Sequence, residues 1–198
     1  MTLNEKVWIV LFALAVLLTV AAKHWPYFPG DVQVTLLVQS LAPASTIWAQ
    51  WISSTAKFPW SLILLAVTVG LSWRFAGRRA ALLAVVAFLG MWALGKWLGP
   101  LVARPRPSSD LVRVPEQLSG TSFPSIFALV YSSTIGFLAI LFARKTSGPL
   151  REMAVLVCCV LLFVGWVARI ALGAHWPSDV ILSYLIGLLW ATLLMRFI

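Results

Sequence analysis

Charge is what this sequence has least of. Only 11% of its 198 residues are charged and 61% are hydrophobic, where a soluble domain carries roughly 25% charged residues. Mean hydropathy is +0.95. A chain so composed cannot solvate its own surface, so lipid must face much of it. Cysteine is nearly absent: Cys158 and Cys159 are neighbours inside an apolar run, a spacing that suits neither a structural disulfide nor a metal site. Histidine is as scarce, with only His24 and His175. No internal repeat and no low-complexity segment occurs. The net charge of +9 comes from 15 basic residues scattered between apolar runs. They form no stripe that would track a phosphate backbone, which argues against nucleic acid as a partner. Membrane lipids, and an anionic substrate gathering a few of the basic residues, explain the charge better.

What is abundant is apolar sequence of membrane-spanning length. Six segments are expected to cross, at about Val7–Ala22, Pro59–Trp73, Ala80–Gly99, Pro124–Ala143, Met153–Ala171 and Pro177–Phe197. The second is short for a span. Between the first two lies a segment at 23–58 rich in Trp, Pro and Ser. Its apolar stretch is interrupted by Ser40, Pro43, Ser45 and Gln50, which predicts interfacial helices with Trp48 and Trp51 at headgroup level. The expected architecture is an all-α, polytopic membrane helical bundle forming one domain over 1–198. No small-residue cleavage site follows the first apolar run, because Lys23-His24-Trp25-Pro26 comes directly after it, so the first helix is expected to be retained.

Six crossings place both termini on one side, with eight basic residues there against seven on the other. If Lys96, Arg104, Arg106 and Arg169 serve a site, three topogenic charges remain against eight, and the positive-inside rule puts the termini in the cytoplasm.

The polar residues are concentrated at one face. Arg104-Pro105-Arg106-Pro107 ends the third span, Ser122-Phe123-Pro124-Ser125 opens the fourth, Arg169 ends the fifth, and His175-Trp176-Pro177-Ser178-Asp179 opens the sixth. Ionisable residues at membrane depth are costly and point to function. Pro177 suits the first position of a helix, and Asp179 then lies in its first turn. From there its carboxylate is expected to reach one nitrogen of His175, fixing the tautomer and raising the basicity of the other. Arg169 offers a planar fork to two phosphate oxygens. Pro124 leaves the N–H of Ser125 and its successors free for an anion, with the Ser125 hydroxyl as a further donor. Singly, each residue also has an ordinary reading, as an interfacial anchor or a helix cap. Their convergence on one face favours a site.

Around His175 the sequence resembles the third signature of the type 2 phosphatidic acid phosphatase superfamily, whose pattern is Ser-Arg, five residues, His, three residues, Asp. Arg169, His175 and Asp179 match that spacing, and Ala168 replaces the leading Ser. The resemblance, which includes lipid phosphate and undecaprenyl-diphosphate phosphatases, covers most of residues 60–198 as a phosphatase-like core. The first signature, Lys, six residues, Arg-Pro, is altered: seven residues separate Lys96 from Arg104 and nine separate it from Arg106. On a continuous helix one extra residue turns Lys96 by about 100°. Either arginine could be the functional one, and Arg104 is nearer by spacing. The second signature, Pro-Ser-Gly-His, reads Pro124-Ser125-Ile126-Phe127, so the histidine that protonates the departing alkoxide in the family is replaced by Phe127.

The resemblance implies a two-step displacement without metal or other cofactor. His175 is the nucleophile and forms a phosphohistidine, Asp179 orients it, and Arg169, Arg104 or Arg106, Ser125 and Lys96 hold phosphate. Loss of the general acid favours a weakly basic leaving group, hence a lipid diphosphate such as a polyprenyl diphosphate. His24 is the candidate substitute acid, with Asp110, Glu116 and Tyr131 behind it. Two readings stay open: a hydrolase or phosphotransferase acting on a lipid phosphate, and a degenerate member that binds a lipid phosphate or a partner membrane protein without turnover. With the termini cytoplasmic, the loops holding residues 100–123 and 172–176, and the site with them, are expected on the outer face of a bacterial inner membrane.

Overall fold

A computed structural model describes residues 4–115 and 118–198. Within them the chain is all-helical. Helix α1 (Glu5–His24) is followed by two short helices, α2 (Asp31–Leu41) and α3 (Ile47–Ser54), and by the long α4 (Trp60–Val102). After a loop come α5 (Ile126–Tyr131), a π-turn at Ser132–Gly136 and α6 (Phe137–Lys145), which run on as one helical rod. Helices α7 (Gly148–Ala171) and α8 (Pro177–Leu194) complete the bundle.

Among the described residues, five helical segments are long and apolar enough to cross a membrane. One of them, α4, has 43 residues and would measure about 64 Å if straight, twice the hydrocarbon thickness. Gly77 breaks it with φ 80° and ψ −178°, a conformation that only glycine adopts without strain. The expected second and third spans lie in its two arms, on either side of this break. The α2 and α3 helices, at 11 and 8 residues, are about 17 and 12 Å long and cannot cross a bilayer. They pack instead on α7 and α8.

The rod Ile126–Lys145 is central, with 78% of its most apolar stretch buried against 11% for α1. Its π-turn is where α8 comes closest: a Cβ on Gly187 would lie 1.8 Å from Ser132 Oγ. The Ser132 and Thr134 hydroxyls donate back to the Ala128 and Val130 carbonyls, so these buried polar groups are satisfied within the rod. This tight axis sets the start of α5 beside the start of α8 and the end of α7, the three places where the polar residues cluster.

Candidate active site

The site is built from the two loops that join α4 to α5 and α7 to α8, closed on one side by the α3–α4 turn. Leu172, Gly173 and Ala174 turn the chain back sharply after α7. Gly173 has φ 57°, and a Cβ there would lie 2.5 Å from the Arg113 carbonyl, so close backbone approach as well as conformation requires glycine. Gln39 of α2 clamps the same place, accepting from the Arg113 N–H at 3.0 Å and donating to the Arg113 carbonyl at 2.7 Å.

A cavity of about 410 Å³ lies between these elements. Its ionisable lining is Lys57, Lys96, Arg106, Arg169 and His175, with Ser53, Thr121 and Phe127 among the remaining lining residues. No carboxylate of the described residues lines it. The His175 Nδ1–H donates to the Ser122 carbonyl at 2.5 Å, which leaves Nε2 as the nitrogen carrying the free lone pair. Burial lowers the pKa of His175 well below its ordinary value. The Arg169 and Arg106 charges push it the same way, against the Ser122 carbonyl bond. The imidazole is therefore neutral at physiological pH, the form that has a lone pair to give.

Arg169, at the end of α7, donates to Ser53 Oγ at 2.9 Å and stands over the Phe127 ring at 5.5 Å. Its Nε has no partner among the described residues, an unspent buried donor on the cavity wall. Arg106 donates to the Ala174 carbonyl at 2.5 Å and to the Ser119 carbonyl at 3.3 Å. Its pKa is lowered by burial, with the Asp179 charge opposing. Lys96 reaches the same cavity and lies 5.8 Å from the Trp92 ring. The longer spacing from Lys96 is accommodated where α4 ends: Ala103 takes a left-handed conformation, φ 54°, and the chain after it brings Arg106, separated from Lys96 by nine residues rather than the signature's six, to the cavity.

Four expectations are corrected. Asp179 does not reach His175. At the third position of α8 its carboxylate turns back on its own helix start, accepting from the Trp176 N–H at 3.2 Å and the Ser122 hydroxyl at 2.5 Å, and it pairs with Arg104. It acts on the imidazole at one remove, through Ser122, whose carbonyl holds Nδ1.

Arg104 does not line the cavity. It is buried between Asp179 and Asp31, lies over the Phe28 ring at 4.5 Å, and donates to the Trp25 carbonyl and Ser178 Oγ, both at 3.1 Å. With two carboxylates around it, its charge is already neutralised. Ser125 is buried and does not line the cavity either. Its N–H donates to Ser183 Oγ at 2.9 Å and its hydroxyl caps the Ala128 N–H. His24 is exposed on the last turn of α1, away from the cavity lining. Of the weaker substitutes, Asp110 is exposed and bonded to Ser108, and the Tyr131 hydroxyl is bonded to Thr55. Glu116 lies outside the described residues.

Phe127 fills its position by design of the neighbouring helix: a Cβ on Gly165 would fall 2.9 Å from its ring. The aromatic ring therefore occupies space that α7 leaves open for it. Ile126 packs in the same way on Gly95 of α4.

Sequence reasoning overlooked Ser53, Lys57 and Asp31. All three lie in the segment at 23–58, where interfacial composition masks single polar residues. Ser122 was visible in its cluster, but nothing in the spacing marks a main-chain carbonyl as the imidazole's partner.

The family model for the PAP2 superfamily matches residues 78–198. The chain belongs to the PAP2 superfamily. Within this family of membrane lipid phosphatases, it is 34% identical over 117 residues to the bacitracin transport permease protein BcrC of Bacillus licheniformis, a match that covers 58% of this chain. That match spans about half of the relative's own length, 53%. The fold is similar to the crystal structure of a transmembrane PAP2-type phosphatidylglycerolphosphate phosphatase from Bacillus subtilis, with a TM-score of 0.73 and 20% identity, covering 96% of this chain and 94% of that one. The protein is an integral membrane member of the PAP2 family.

Proposed function

We propose that this protein hydrolyses a lipid diphosphate, of the polyprenyl type, through a phosphohistidine at His175. The observation that carries the reading is the cavity itself. Four cations and one neutral imidazole meet there with no carboxylate among the described residues of the lining, a complement for a highly charged phosphate. Nε2 of His175 attacks the terminal phosphorus while Arg106 and Arg169, with Lys96, bind its oxygens. The bond to the bridging oxygen breaks, and lipid monophosphate departs with the electron pair. Water then attacks the phosphohistidine, the P–N electrons return to Nε2, and inorganic phosphate is released.

Phe127 decides between substrates. It cannot donate a proton, so a leaving alkoxide would depart unprotonated, at a loss of about 10²–10⁴-fold. A phosphate monoester leaves without that help, since its second ionisation lies near pH 6. Phosphate release from matched lipid mono- and diphosphates tests this. Faster release from the diphosphate is expected, and a clear preference for the monophosphate refutes it.

Phe127 also supports a second reading, a member that binds a lipid phosphate or a partner membrane protein without turnover. Absence of release from every lipid, together with retained lipid binding, would favour it. The distribution of basic residues supports cytoplasmic termini with the site on the outer face of a bacterial inner membrane, given that α4 crosses twice about Gly77.

A further inference from the structure

The cavity holds a cation that the signature motifs do not contain. Lys57 lies on the turn between α3 and α4, outside the apolar helices, and that turn is closed by its own main chain. Its N–H donates to the Ser54 carbonyl at 2.8 Å, and its carbonyl accepts from the Ser61 N–H at 2.9 Å. It lines the same cavity as Ile126, Phe127, Arg169 and His175. The other three cations each have a protein partner: Arg106 on the Ala174 carbonyl, Arg169 on Ser53 and the Phe127 ring, Lys96 on the Trp92 ring. Among the described residues, the Lys57 ammonium has none, neither hydrogen bond, carboxylate nor ring. An unspent ammonium in the same cavity as a residue that cannot act as an acid is suited to stabilise a departing anion by charge.

We propose that Lys57 recognises the second phosphate of the substrate, the one esterified to the lipid, and so sets specificity for diphosphates. The proposal rests on the phosphatase reading given above. Arg106 and Arg169 hold the terminal phosphate in front of His175, and Lys57 holds the inner one. The Nε2–P bond forms as the bond from the terminal phosphorus to the bridging oxygen breaks. The electron pair stays on that oxygen, and the inner phosphate leaves as a monoester dianion. No proton has to be transferred, and Lys57 remains an ammonium throughout. Charge placed by Lys57 thereby replaces the proton that a histidine at position 127 would supply.

The test uses the full chain and compares Lys57→Gln and Lys57→Arg with wild type. It follows kcat/KM for a polyprenyl diphosphate and for the same lipid as monophosphate, together with affinity for inorganic pyrophosphate and for orthophosphate. Lys57→Gln is expected to lower kcat/KM for the diphosphate by about 10–100-fold, the worth of a hydrogen bond to a charged group, and to change the monophosphate rate less than about threefold. Lys57→Arg is expected to restore most of the loss. Equal loss on both substrates, or no loss on the diphosphate, overturns the proposal. If wild type releases phosphate from neither lipid, the phosphatase reading falls, and the binding measurements then decide on Lys57. Pyrophosphate affinity weakened about tenfold more than orthophosphate affinity upholds it, and equal weakening overturns it.

Discussion

Arg104 and Arg106 stand two residues apart and lead opposite lives. Arg104 sits between Asp31 and Asp179, and its guanidinium is spent on two carboxylates, a hydroxyl, a carbonyl and a ring. Arg106 binds only carbonyls and faces a cavity that has no carboxylate among its described lining residues. The knot around Arg104 is structural: it ties α2, the α4–α5 loop and the start of α8 into one frame. Through Ser122, bonded at its hydroxyl to Asp179 and at its carbonyl to His175, that frame aims the imidazole. The cavity beside it keeps its cations unneutralised for a substrate to neutralise. An arginine near a site thus declares its role by whether its charge is already paired.

Substitutions break the comparison in order of effect. His175→Ala removes the proposed nucleophile and should lower phosphate release by at least about 10⁴-fold, with an unchanged helical circular dichroism spectrum. Arg104→Met should leave two buried carboxylates unpaired and cost about 3–5 kcal/mol of stability, seen as early thermal unfolding in detergent. Arg106→Gln should unfold like wild type yet lose about 10²-fold in kcat/KM, the cost of one donor to the phosphoryl group. If Arg104→Met left stability intact and Arg106→Gln left activity intact, the two roles would have to be exchanged. Phe127→His combined with Ile126→Gly should raise monophosphate hydrolysis by about 10-fold or more, as a proton donor returns. His24→Ala should leave turnover within about twofold, as for a surface residue outside the site.

Acid sharpens the same contrast. The pKa of His175 is depressed by burial and by two guanidinium groups, so its neutral form persists below the ordinary imidazole range. The imidazole limb of the kcat/KM profile should therefore lie below pH 6.5. Arg106→Gln removes one of the repelling charges and should move that limb upward relative to wild type, with the substrate's own ionisation common to both. Linkage runs in the matching direction. The unfolded chain protonates this imidazole more readily than the folded one, so the contribution of His175 to stability is present above pH 6.5 and declines as pH falls below it.

Much of the fold was legible in the sequence because lipid imposes a simple rule on apolar length. The first and last expected spans fall within α1 and over α8 with its final turn, and the fourth and fifth within a few residues of the rod and α7. The expected second and third spans fall on either side of Gly77, because the glycine and the neighbouring arginines interrupt the hydropathy where the non-helical backbone breaks α4. Spacing also put Arg169 and His175 on one face, because both flank a short turn closed at Gly173. What spacing could not show was partnership. Whether Asp179 meets His175 or Arg104 depends on Asp31, a residue 148 positions away on α2 that joins the same knot. Lys57 and Ser53 reach the cavity only because α3 packs against α7, a tertiary contact that no local pattern encodes.

Brief mixing with a lipid diphosphate labelled at its terminal phosphate tests the central claim most directly. The account predicts an acid-labile, base-stable phosphoenzyme with the label on His175, formed equally well by His24→Ala and not at all by His175→Ala. Label on any other residue, or undiminished label in His175→Ala, would contradict it.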